Sequence, residues 1–398
     1  MVKSSAAENN TLTTQSAPVA LLYRDHLLPR SETFVRAQGE ALRRFTAYYA
    51  GSRIIKDGLS LPADRTLVVN HGGLGGRLAE GAFKVFGVAP RFFRQARRLH
   101  PVLVHAHFGV DGALALPLAR FVSVPLIVTF HGYDATVTDE HARRSFYVHR
   151  RYVEKRQTLQ REARLFVAVS RFIREKLLEQ GFPQDKIIVN YVGVDVQRFC
   201  PDPGILRDLT VLFVGRLIEA KGCRHLINAM ARVQAALPTA KLVIIGDGPL
   251  RRDLERAARS ALRHSEFVGT QPQETVCDWM NRAKVFAVPS VTAASGASEG
   301  FGLVFAEAQA MGLPVASFAT GGIPEAVANG ETGLLVQQGD ERGLADTILR
   351  LLSDEEMWRA FSGAGIARVH RLFDLRAQTA QLEDAYMRVL AGRVNDEY

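Results

Sequence analysis

Short apolar runs alternate along the chain with longer segments in which apolar residues recur every three or four positions. Short apolar runs are typical of buried strands, and the periodic segments are typical of amphipathic helices. A strand followed by a helix, repeated along the whole chain, predicts parallel sheets with right-handed crossovers. The predicted strands are Val19–Tyr23, Thr66–Val69, Val102–Ala106, Leu126–Thr129, Leu165–Ala168, Ile187–Tyr191, Val211–Val214, Leu242–Ile245, Glu266–Val268, Val285–Val288, Val315–Ser317 and Leu334–Val336. The clearest helical patterns are Glu32–Arg44, Gly109–Phe121, Glu140–Ala163, Arg171–Gln180 and Asp340–Ser353.

A chain of 398 residues is too long for one ordinary domain, so two domains are expected. Cys200–Gly204 holds two prolines and a glycine and is the clearest linker. We therefore predict an α/β protein with two facing, doubly wound Rossmann-like domains and a ligand site in the cleft between them. The predicted divisions are a disordered leader (1–17), an N-terminal domain (18–200), a linker (201–208), a C-terminal domain (209–374) and a last helix (375–398). The sequence is compatible with a return of this last helix to the N-terminal domain but does not prove it.

Composition narrows the class of protein. The apolar fraction of 47% and the charged fraction of 23% are typical of globular proteins. Cys200, Cys223 and Cys277 lie far apart, which favours unpaired thiols in a reducing compartment. The polar start and the lack of an 18-residue apolar stretch indicate neither a signal peptide nor a membrane-spanning helix, so we expect a cytoplasmic protein.

Positive charge is concentrated in the first half. Residues 1–200 carry 29 Lys and Arg against 17 Asp and Glu, a balance of +12, and residues 201–398 carry 21 against 24, a balance of −3. The stretch Lys84–Arg98 interleaves Phe86, Phe92 and Phe93 with arginines, and Arg143–Arg164 is a second basic stretch. Such stretches suit an anionic membrane surface or a phosphate-bearing partner, and the alternative is a solvated helix face with some core aromatics. No nucleic-acid module is recognisable, so no nucleic-acid partner is expected.

The loop Glu299-Gly300-Phe301-Gly302-Leu303 is the strongest candidate for chemistry. Two glycines free the backbone to point successive N–H groups at one spot, and the start of a helix adds partial positive charge there. Phosphate oxygens suit such a spot, and the carboxylates of Glu299 and Glu307 can accept hydrogen bonds from hydroxyl groups. Phosphates flanked by hydroxyls describe a sugar nucleotide, whereas the alternative is a surface loop with two solvated glutamates.

Two further motifs follow strands of the second half. Gly215-Arg216-Leu217 and Lys221 come after the strand Val211–Val214, and a guanidinium with an ammonium suits a diphosphate. Gly246-Asp247-Gly248-Pro249 forms a tight turn that opens a helix, with Asp247 as a helix cap. Val268-Gly269-Thr270-Gln271 also lies at the end of a strand and is a candidate for contact with the nucleotide base.

The first half contributes histidines at strand ends. His131 follows a strand and precedes Gly132, which directs it into the predicted cleft, although a single histidine is more often structural. His105 and His107 are spaced as metal ligands, but neither a cysteine nor a carboxylate partner is evident. No metal site is therefore predicted.

The ordered set Gly-Arg-Leu-x3-Lys-Gly, Ile-Gly-Asp-Gly-Pro, Glu-x7-Glu and Gly321-Gly322-Ile323-Pro324-Glu325 resembles the retaining family 4 nucleotide-sugar glycosyltransferases, which have the GT-B fold. The resemblance covers about residues 18–390. Ser31–Phe34, His105–Gly109 and His131–Asp134 resemble the bacterial branch that builds exopolysaccharide and colanic-acid-type repeat units. One departure is that Leu28–Glu32 stands where the family usually has a Gly-Gly loop.

The resemblance implies roles for individual residues. It makes 18–200 the acceptor domain and 209–374 the donor domain, with no metal or other cofactor required. The implied catalytic residues are His131, Arg216, Lys221 and Glu299. The implied donor-binding residues are Gly215, Arg216, Lys221, Gly248, Glu299, Gly300, Phe301, Gly302, Leu303 and Glu307. Thr270 and Gln271 are candidates for the base, and Ser31, Glu32, His107 and Asp134 for the acceptor.

The implied reaction is transfer of a hexose, with retention, from a UDP- or GDP-sugar to a hydroxyl of a lipid-linked oligosaccharide at the inner face of the plasma membrane. One alternative is an epimerase or hydrolase of sugar nucleotides, with His107 or Asp134 as the general base. Another is a non-catalytic nucleotide-sugar-binding protein. An NAD-dependent oxidoreductase is disfavoured, because no Gly-x-Gly-x-x-Gly sits at a first strand-to-helix turn.

Overall fold

Two parallel sheets, one in each half of the chain, organise residues 17–393, which are the residues that the computed structural model describes. Residues 1–16 of the predicted leader and 394–398 of the predicted last segment lie outside this range. The strands are β1 (Val19–Tyr23), β2 (His26–Leu27), β3 (Thr46–Gly51), β4 (Arg53–Ile54), β5 (Thr66–Val68), β6 (Leu103–His107), β7 (Leu126–Phe130), β8 (Leu165–Ala168), β9 (Ile187–Val189), β10 (Thr210–Val214), β11 (Lys241–Ile245), β12 (Ser265–Gly269), β13 (Val285–Ala287), β14 (Val315–Phe318) and β15 (Gly333–Val336).

Both sheets are doubly wound. The first has the order β5-β3-β1-β6-β7-β8-β9 and the second β12-β11-β10-β13-β14-β15, while β2 and β4 form a separate parallel pair. In each sheet the chain starts on an inner strand, builds one side, and then crosses back to build the other. The carboxyl ends of β1 and β10 are thus the points where the winding reverses, which is where such sheets bind ligands. The predicted α/β fold class is confirmed.

Helices cover both faces of the sheets. They are α1 (Thr33–Ala41), α2 (Gly73–Phe86), α3 (Pro90–Arg98), α4 (Gly109–Val122), α5 (Tyr133–Thr136), α6 (Asp139–Arg144), α7 (Tyr147–Glu162), α8 (Arg171–Glu179), α9 (Cys223–Ala236), α10 (Arg251–Ala261), α11 (Gln273–Arg282), α12 (Leu303–Ala310), α13 (Ile323–Ala326), α14 (Glu341–Ser353), α15 (Glu355–Leu372) and α16 (Leu375–Leu390). None of the helices described here has both the length and the apolar run that crossing a membrane requires.

Two elements differ from the sequence-based expectation. β3 has no predicted counterpart, because Thr-Ala-Tyr-Tyr-Ala-Gly lacks an aliphatic run, yet it pairs with β1 and β5 and buries Tyr49. The single helix predicted over Glu140–Ala163 is wrong, since α6 and α7 form instead. Ser145 and Phe146 separate them with extended ψ angles of −160° and 150°, which a helical backbone does not accommodate.

The last helix, α16, packs against the first sheet although it follows the second half of the chain. Its buried residues Leu382 and Tyr386 lie in one apolar cluster with Ala20, Leu103 and Ile127. The hydroxyl of Tyr386 lies 2.5 Å from Nδ1 of His105 on β6. Glu383, also buried, accepts hydrogen bonds from the backbone N–H groups of Arg43 and Arg44 at 2.8 and 2.7 Å. Helix α16 therefore packs on the N-terminal domain and stabilises it.

This packing predicts that Leu382→Ala destabilises the N-terminal domain by about 2–5 kcal/mol, because it removes a fully buried side chain and leaves a cavity. Met387→Ala is the matched control, since Met387 lies on the same helix and is exposed. Urea unfolding followed by circular dichroism measures both changes. Equal effects of the two substitutions would contradict the assignment of α16 to the core.

Candidate functional site in the cleft between the two sheets

A cleft of about 2220 Å³ separates the two halves at the carboxyl ends of their strands. Most of the residues singled out from the sequence line it. From the first half these are Ser31, Glu32, His131 and Asp134, and from the second half Gly215, Arg216, Lys221, Gln271, Glu299, Phe301, Gly302, Leu303 and Glu307. His107, Gly248, Thr270 and Gly300 are not among its lining residues.

The ammonium group of Lys221 forms an ion pair with Glu299, at 2.5 Å between Nζ and Oε2. The same carboxylate oxygen accepts a hydrogen bond from the hydroxyl of Ser290 at 3.2 Å. Lys221 ends a short 3-10 helix and is followed by Gly222 at φ 64°. A Cβ at Gly222 would lie 1.8 Å from the carbonyl oxygen of Pro289, so glycine is required to place Lys221 here.

The N-terminus of α12 opens into the cleft beside this pair. Gly302 adopts φ 79° at the cap position, and no side chain caps the helix. The first N–H groups of a helix have no partner within it, and they carry partial positive charge. Arg216, which is exposed, forms no ion pair with any carboxylate of residues 17–393. One ammonium, one guanidinium and a free helix end therefore face the same space, which is an arrangement suited to a diphosphate.

Glu307 lies further along α12 and also faces the cleft. Burial raises the pKa of its carboxyl to about 7, and the positive charge of Arg198 only partly opposes this shift. The carboxyl group of Glu307 therefore changes charge near neutral pH.

The side chain of Phe301 packs between Tyr191 and Phe373, at centroid distances of 5.3 and 5.0 Å, so Phe301 reaches the cleft through its backbone.

The turn around Gly248 lies behind the cleft. A Cβ at Gly248 would come within 2.5 Å of the carbonyl oxygen of Leu217, so the turn packs directly on the loop that carries Arg216. The N–H of Leu217 in turn donates to the carbonyl oxygen of Asp247 at 2.9 Å. This geometry makes Gly248 a support for the Arg216 loop, and the donor contact that the family resemblance implies for Gly248 stays a prediction.

On the opposite wall, His131 is held among aromatic rings. Phe34 and Phe108 lie 4.8 and 4.7 Å from its ring centroid, and its Nε2 lies 3.1 Å from Nδ1 of His107. Burial, together with the smaller effects of nearby His105 and Arg24, lowers the pKa of His131 to about 3. The imidazole is therefore neutral at physiological pH and can donate or accept a hydrogen bond without carrying charge.

His107 lies behind the wall of the cleft, whereas Asp134 lines the cleft but is engaged in backbone hydrogen bonds. His107 is fully buried, and its Nε2 has no partner among the described residues. The carboxylate of Asp134 accepts hydrogen bonds from the backbone N–H groups of Gly109, His131 and Gly132 at 2.8, 3.2 and 3.0 Å. Asp134 thus fixes the loop that presents His131, and these bonds occupy the oxygens that a general base would use.

The predicted acceptor residue Glu32 is engaged by Arg24. The guanidinium binds both of its carboxylate oxygens, at 2.8 and 2.7 Å, and also reaches Asp111 at 2.7 Å. Ser31 is exposed at the rim. Glu32 therefore positions Arg24 and α1, and has little capacity left for a ligand.

Asp25 is a cleft residue that the sequence analysis missed. Its Oδ2 pairs with Lys84 at 3.0 Å, whereas its buried Oδ1 has no hydrogen-bond partner among the described residues. A buried carboxylate oxygen without a donor is costly, and such atoms mark places where water or a ligand completes the site. The available signal was its position directly after β1, since the carboxyl ends of parallel strands carry the site.

The two halves touch where the donor-side loop meets the first domain. A Cβ at Gly300 would lie 2.1 Å from the carbonyl oxygen of His131, so glycine permits this approach. The hydroxyl of the buried Ser170 donates to the carbonyl oxygen of Gly300 at 2.6 Å. Glu325 caps α8 of the first half by accepting from the N–H groups of Arg171 and Phe172, both at 2.8 Å. Gly300 and Glu325 thus join the two halves at the side of the cleft.

No cluster of three or more His, Cys, Asp or Glu side chains arranged for a metal ion occurs within residues 17–393. The polar groups that converge on the cleft are instead cations, a helix N-terminus, carboxylates and a neutral imidazole. These groups can bind an anionic leaving group on one side and hydroxyl groups on the other.

Two family profiles match the chain in tandem. One, described as "Glycosyltransferase Family 4", matches residues 35–198, and the other, described as "Glycosyl transferases group 1", matches residues 208–354. The boundary between them falls in the linker between the two sheets.

Two curated relatives are similar over most of the chain. The amylovoran biosynthesis glycosyltransferase AmsK of Erwinia amylovora is 31% identical over 299 residues, which are 70% of this chain and 71% of that protein. The colanic acid biosynthesis glycosyltransferase WcaL of Escherichia coli (strain K12) is 32% identical over 249 residues, which are 61% of this chain and 59% of that protein. The second match thus spans about three fifths of that relative's length.

A solved structure shares the fold. Anabaena Alr3699/HepE, determined in complex with UDP and glucose, superimposes with a TM-score of 0.75 at 20% sequence identity, covering 94% of this chain and 100% of that chain. At this identity the likeness concerns architecture. Together with the tandem profiles and the similarity to AmsK, it shows that the chain belongs to the family 4 glycosyltransferases, with the GT-B fold.

Proposed function

We propose that this protein transfers a hexose, with retention of anomeric configuration, from a UDP- or GDP-sugar to a hydroxyl of a lipid-linked oligosaccharide. The observation that carries the proposal is the group of cations at the carboxyl end of β10, Lys221 and Arg216, beside the uncapped start of α12. The names of the relatives AmsK and WcaL support a place in the assembly of exopolysaccharide or lipopolysaccharide.

The donor's diphosphate would lie between these groups. When the bond between the anomeric carbon and the diphosphate lengthens, negative charge grows on the leaving phosphate. Preorganised cations and backbone N–H groups stabilise that charge more in the transition state than in the ground state. Lys221 and Arg216 would in this way supply the positive charge that a divalent ion supplies in other transferases, so no metal is required.

Glu299 would have two successive roles. In this structure it neutralises Lys221, which prevents an unpaired ammonium in a largely buried site. When a diphosphate binds, Lys221 can turn to the phosphate, and the released carboxylate can accept a hydrogen bond from a hydroxyl of the sugar. Glu307, further along the same helix, is placed to accept from the ribose hydroxyls.

Retention would follow from a front-side reaction. The acceptor hydroxyl approaches on the side from which the phosphate leaves, and the leaving phosphate oxygen takes the hydroxyl proton as the new glycosidic bond forms. A double displacement would need a free carboxylate close to the anomeric carbon. Asp134, which faces the cleft from the first half, already accepts three backbone hydrogen bonds. The neutral His131 would hydrogen-bond the transferred sugar.

The first-half wall would receive the acceptor. Asp25 offers a carboxylate oxygen without a donor, and Lys84 stands beside it, so a sugar hydroxyl could both donate and accept there. The basic first half favours a location at the anionic inner face of the plasma membrane, where lipid-linked saccharides reside.

The candidate contacts for the nucleotide base, uracil or guanine, lie around Gln271. Gln271 lines the cleft and donates from its amide to the carbonyl oxygen of Val268 at 2.9 Å, whereas Thr270 is not among the lining residues. A thermal-shift panel of UDP- and GDP-sugars makes the choice, because a ligand at 100 times its dissociation constant stabilises the folded state by about 2.7 kcal/mol. Incubation with the donor alone separates transfer from hydrolysis or epimerisation, since those reactions would consume the donor stoichiometrically.

Lys221→Ala is expected to lower kcat by about 10²–10³-fold, because it removes one preorganised donor to the leaving group. Lys241→Ala is the matched control, since Lys241 lies in the same half, away from the cleft, and contacts only Glu266 and the ring of Trp279 through its ammonium group. Release of UDP or GDP from the donor identified in the panel, in the presence of acceptor, measures the rate. Near wild-type turnover of the Lys221 variant would refute the assignment.

Donor affinity is expected to rise with pH through about 7. A hydroxyl that donates to Glu307 stabilises the ionised carboxylate, so the bound form holds fewer protons than the free form, whose pKa is about 7. Below that pKa, the Kd for the nucleotide should therefore increase by up to about tenfold per pH unit. Glu307→Gln should remove this dependence, whereas the exposed-site control Glu266→Gln should keep it. Isothermal titration of UDP or GDP from pH 6 to 8 measures both, and an unchanged pH profile in Glu307→Gln would exclude this role.

A further inference from the structure

Exposed apolar side chains are concentrated on one part of the first domain. Of the twelve large apolar side chains that are exposed in residues 17–393, seven fall in the segments 74–88 and 146–147. Such clustering sets them apart from the single exposed apolar residues that any soluble surface carries. We call this surface the α2 face, and its residues are Leu74, Leu78, Val85, Phe86, Val88, Phe146 and Tyr147.

The α2 helix is apolar on two opposite sides. Phe83 is buried in the core, and Glu80 and Lys84 face the cleft. At 3.6 residues per turn, Leu74, Leu78 and Val85 fall within about 40° of one another on the side facing away from Phe83. Leu74 and Leu78 are 78% and 75% exposed. A helix that only covers the sheet would carry polar residues on this outer side.

The two segments adjoin in space. Arg151 of α7 donates from Nη2 to the carbonyl oxygen of Val85 at 3.4 Å, and its guanidinium lies 5.9 Å from the ring of Tyr147. Phe86, at the end of α2, and Phe146, at the start of α7, are 76% and 80% exposed. The outer side of α2 and the start of α7 therefore form one apolar surface.

Exposed arginines lie on α2 and on the adjoining helix α3 without compensating acids. Residues 71–98 contain six Lys and Arg but one acidic residue, Glu80, which pairs with Lys84 at 2.8 Å. The other five cations form no ion pair with a carboxylate within residues 17–393; they are Arg77, Arg91, Arg94, Arg97 and Arg98. Within Lys84–Arg98, Phe92 and Phe93 belong to the core, as the alternative of a solvated helix face with some core aromatics predicts, whereas Phe86 is exposed. The exposed apolar residues come from α2 instead.

We propose that the α2 face docks on the surface of an anionic lipid bilayer. Leucine and phenylalanine side chains would enter the boundary between headgroups and acyl chains, while the arginines would bind the anionic headgroups. A second copy of this chain fits the surface poorly, because it would bring a second set of unpaired arginines, from its own α2 and α3, close to those of the first copy. Charge complementarity thus favours an anionic membrane.

The surface lies beside the acceptor wall of the cleft. Glu80 and Lys84 line the cleft from the inner side of α2, and Phe146 and Tyr147 line its mouth. A bilayer in contact with the outer side of α2 would therefore bring lipid-linked molecules to the wall that carries Asp25. The function of this docking, which is to reach a lipid-linked acceptor, rests on the proposed function. The position and composition of the surface do not depend on that proposal.

Flotation with vesicles tests the docking surface on the full chain. Wild-type protein should float with vesicles of phosphatidylcholine and phosphatidylglycerol at low salt, and less with phosphatidylcholine alone or at high salt. The double variant Leu74→Asp, Leu78→Asp should lower the fraction bound at least about tenfold, since it places two anions in the apolar contact. Leu206→Asp is the matched control, because Leu206 is 92% exposed and lies in the linker, and it should float like wild type.

A second variant, Arg91→Gln, Arg94→Gln, should weaken binding to anionic vesicles and leave binding to phosphatidylcholine unchanged. The melting temperatures of all variants should match that of wild type, because the changed side chains are exposed. Absence of wild-type flotation would overturn the proposal, as would an equal loss in Leu206→Asp. A dimer that the Leu74, Leu78 variant dissociates would overturn it in favour of self-association. Binding of UDP and GDP, measured on the same samples, tests the proposed donor site separately. If neither nucleotide binds, the donor proposal fails, but the flotation result still decides the docking proposal.

Discussion

The arrangement of the site depends on one ion pair, Lys221 with Glu299, at the point where the second sheet reverses its winding. An ammonium close to a guanidinium and to a positive helix end is electrostatically unfavourable when nothing lies between them. The negative charge of the Glu299 carboxylate offsets the electrostatic repulsion among these positive groups. Because Glu299 belongs to the same loop that leads into α12, the residue that neutralises the cation also positions the backbone N–H groups beside it.

The same loop joins the two halves of the molecule. Gly300 contacts the backbone of the His131 loop, and Ser170 binds the Gly300 carbonyl from the first domain. Glu325 adds a second contact by capping α8. Closure of the cleft and the shape of the donor loop are therefore coupled physically: a movement of the first domain away from the second would release the carbonyl of Gly300 and the loop that carries Glu299.

The sequence predicts well what depends on local pattern. The strand rhythm gave the α/β architecture, and the rule that ligands bind at the ends of parallel strands placed Arg216, Lys221 and Glu299 in one cleft. It predicts poorly what depends on partners distant in the chain. Glu32 and Asp134 look free in sequence, but Arg24 and three backbone N–H groups occupy their oxygens. For Phe92 and Phe93 the sequence leaves a surface and a core position open, and the first-domain core contains them, because their burial is decided by how α3 packs on its neighbours.

The most direct measurement of the central claim is a crystal structure of the protein with UDP or GDP bound. The diphosphate oxygens should lie about 2.7–3.2 Å from Lys221 Nζ, from the guanidinium of Arg216 and from the first N–H groups of α12, with Lys221 released from Glu299. A nucleotide whose phosphates lie outside this group, with Lys221 still bound to Glu299, would contradict the account of the site.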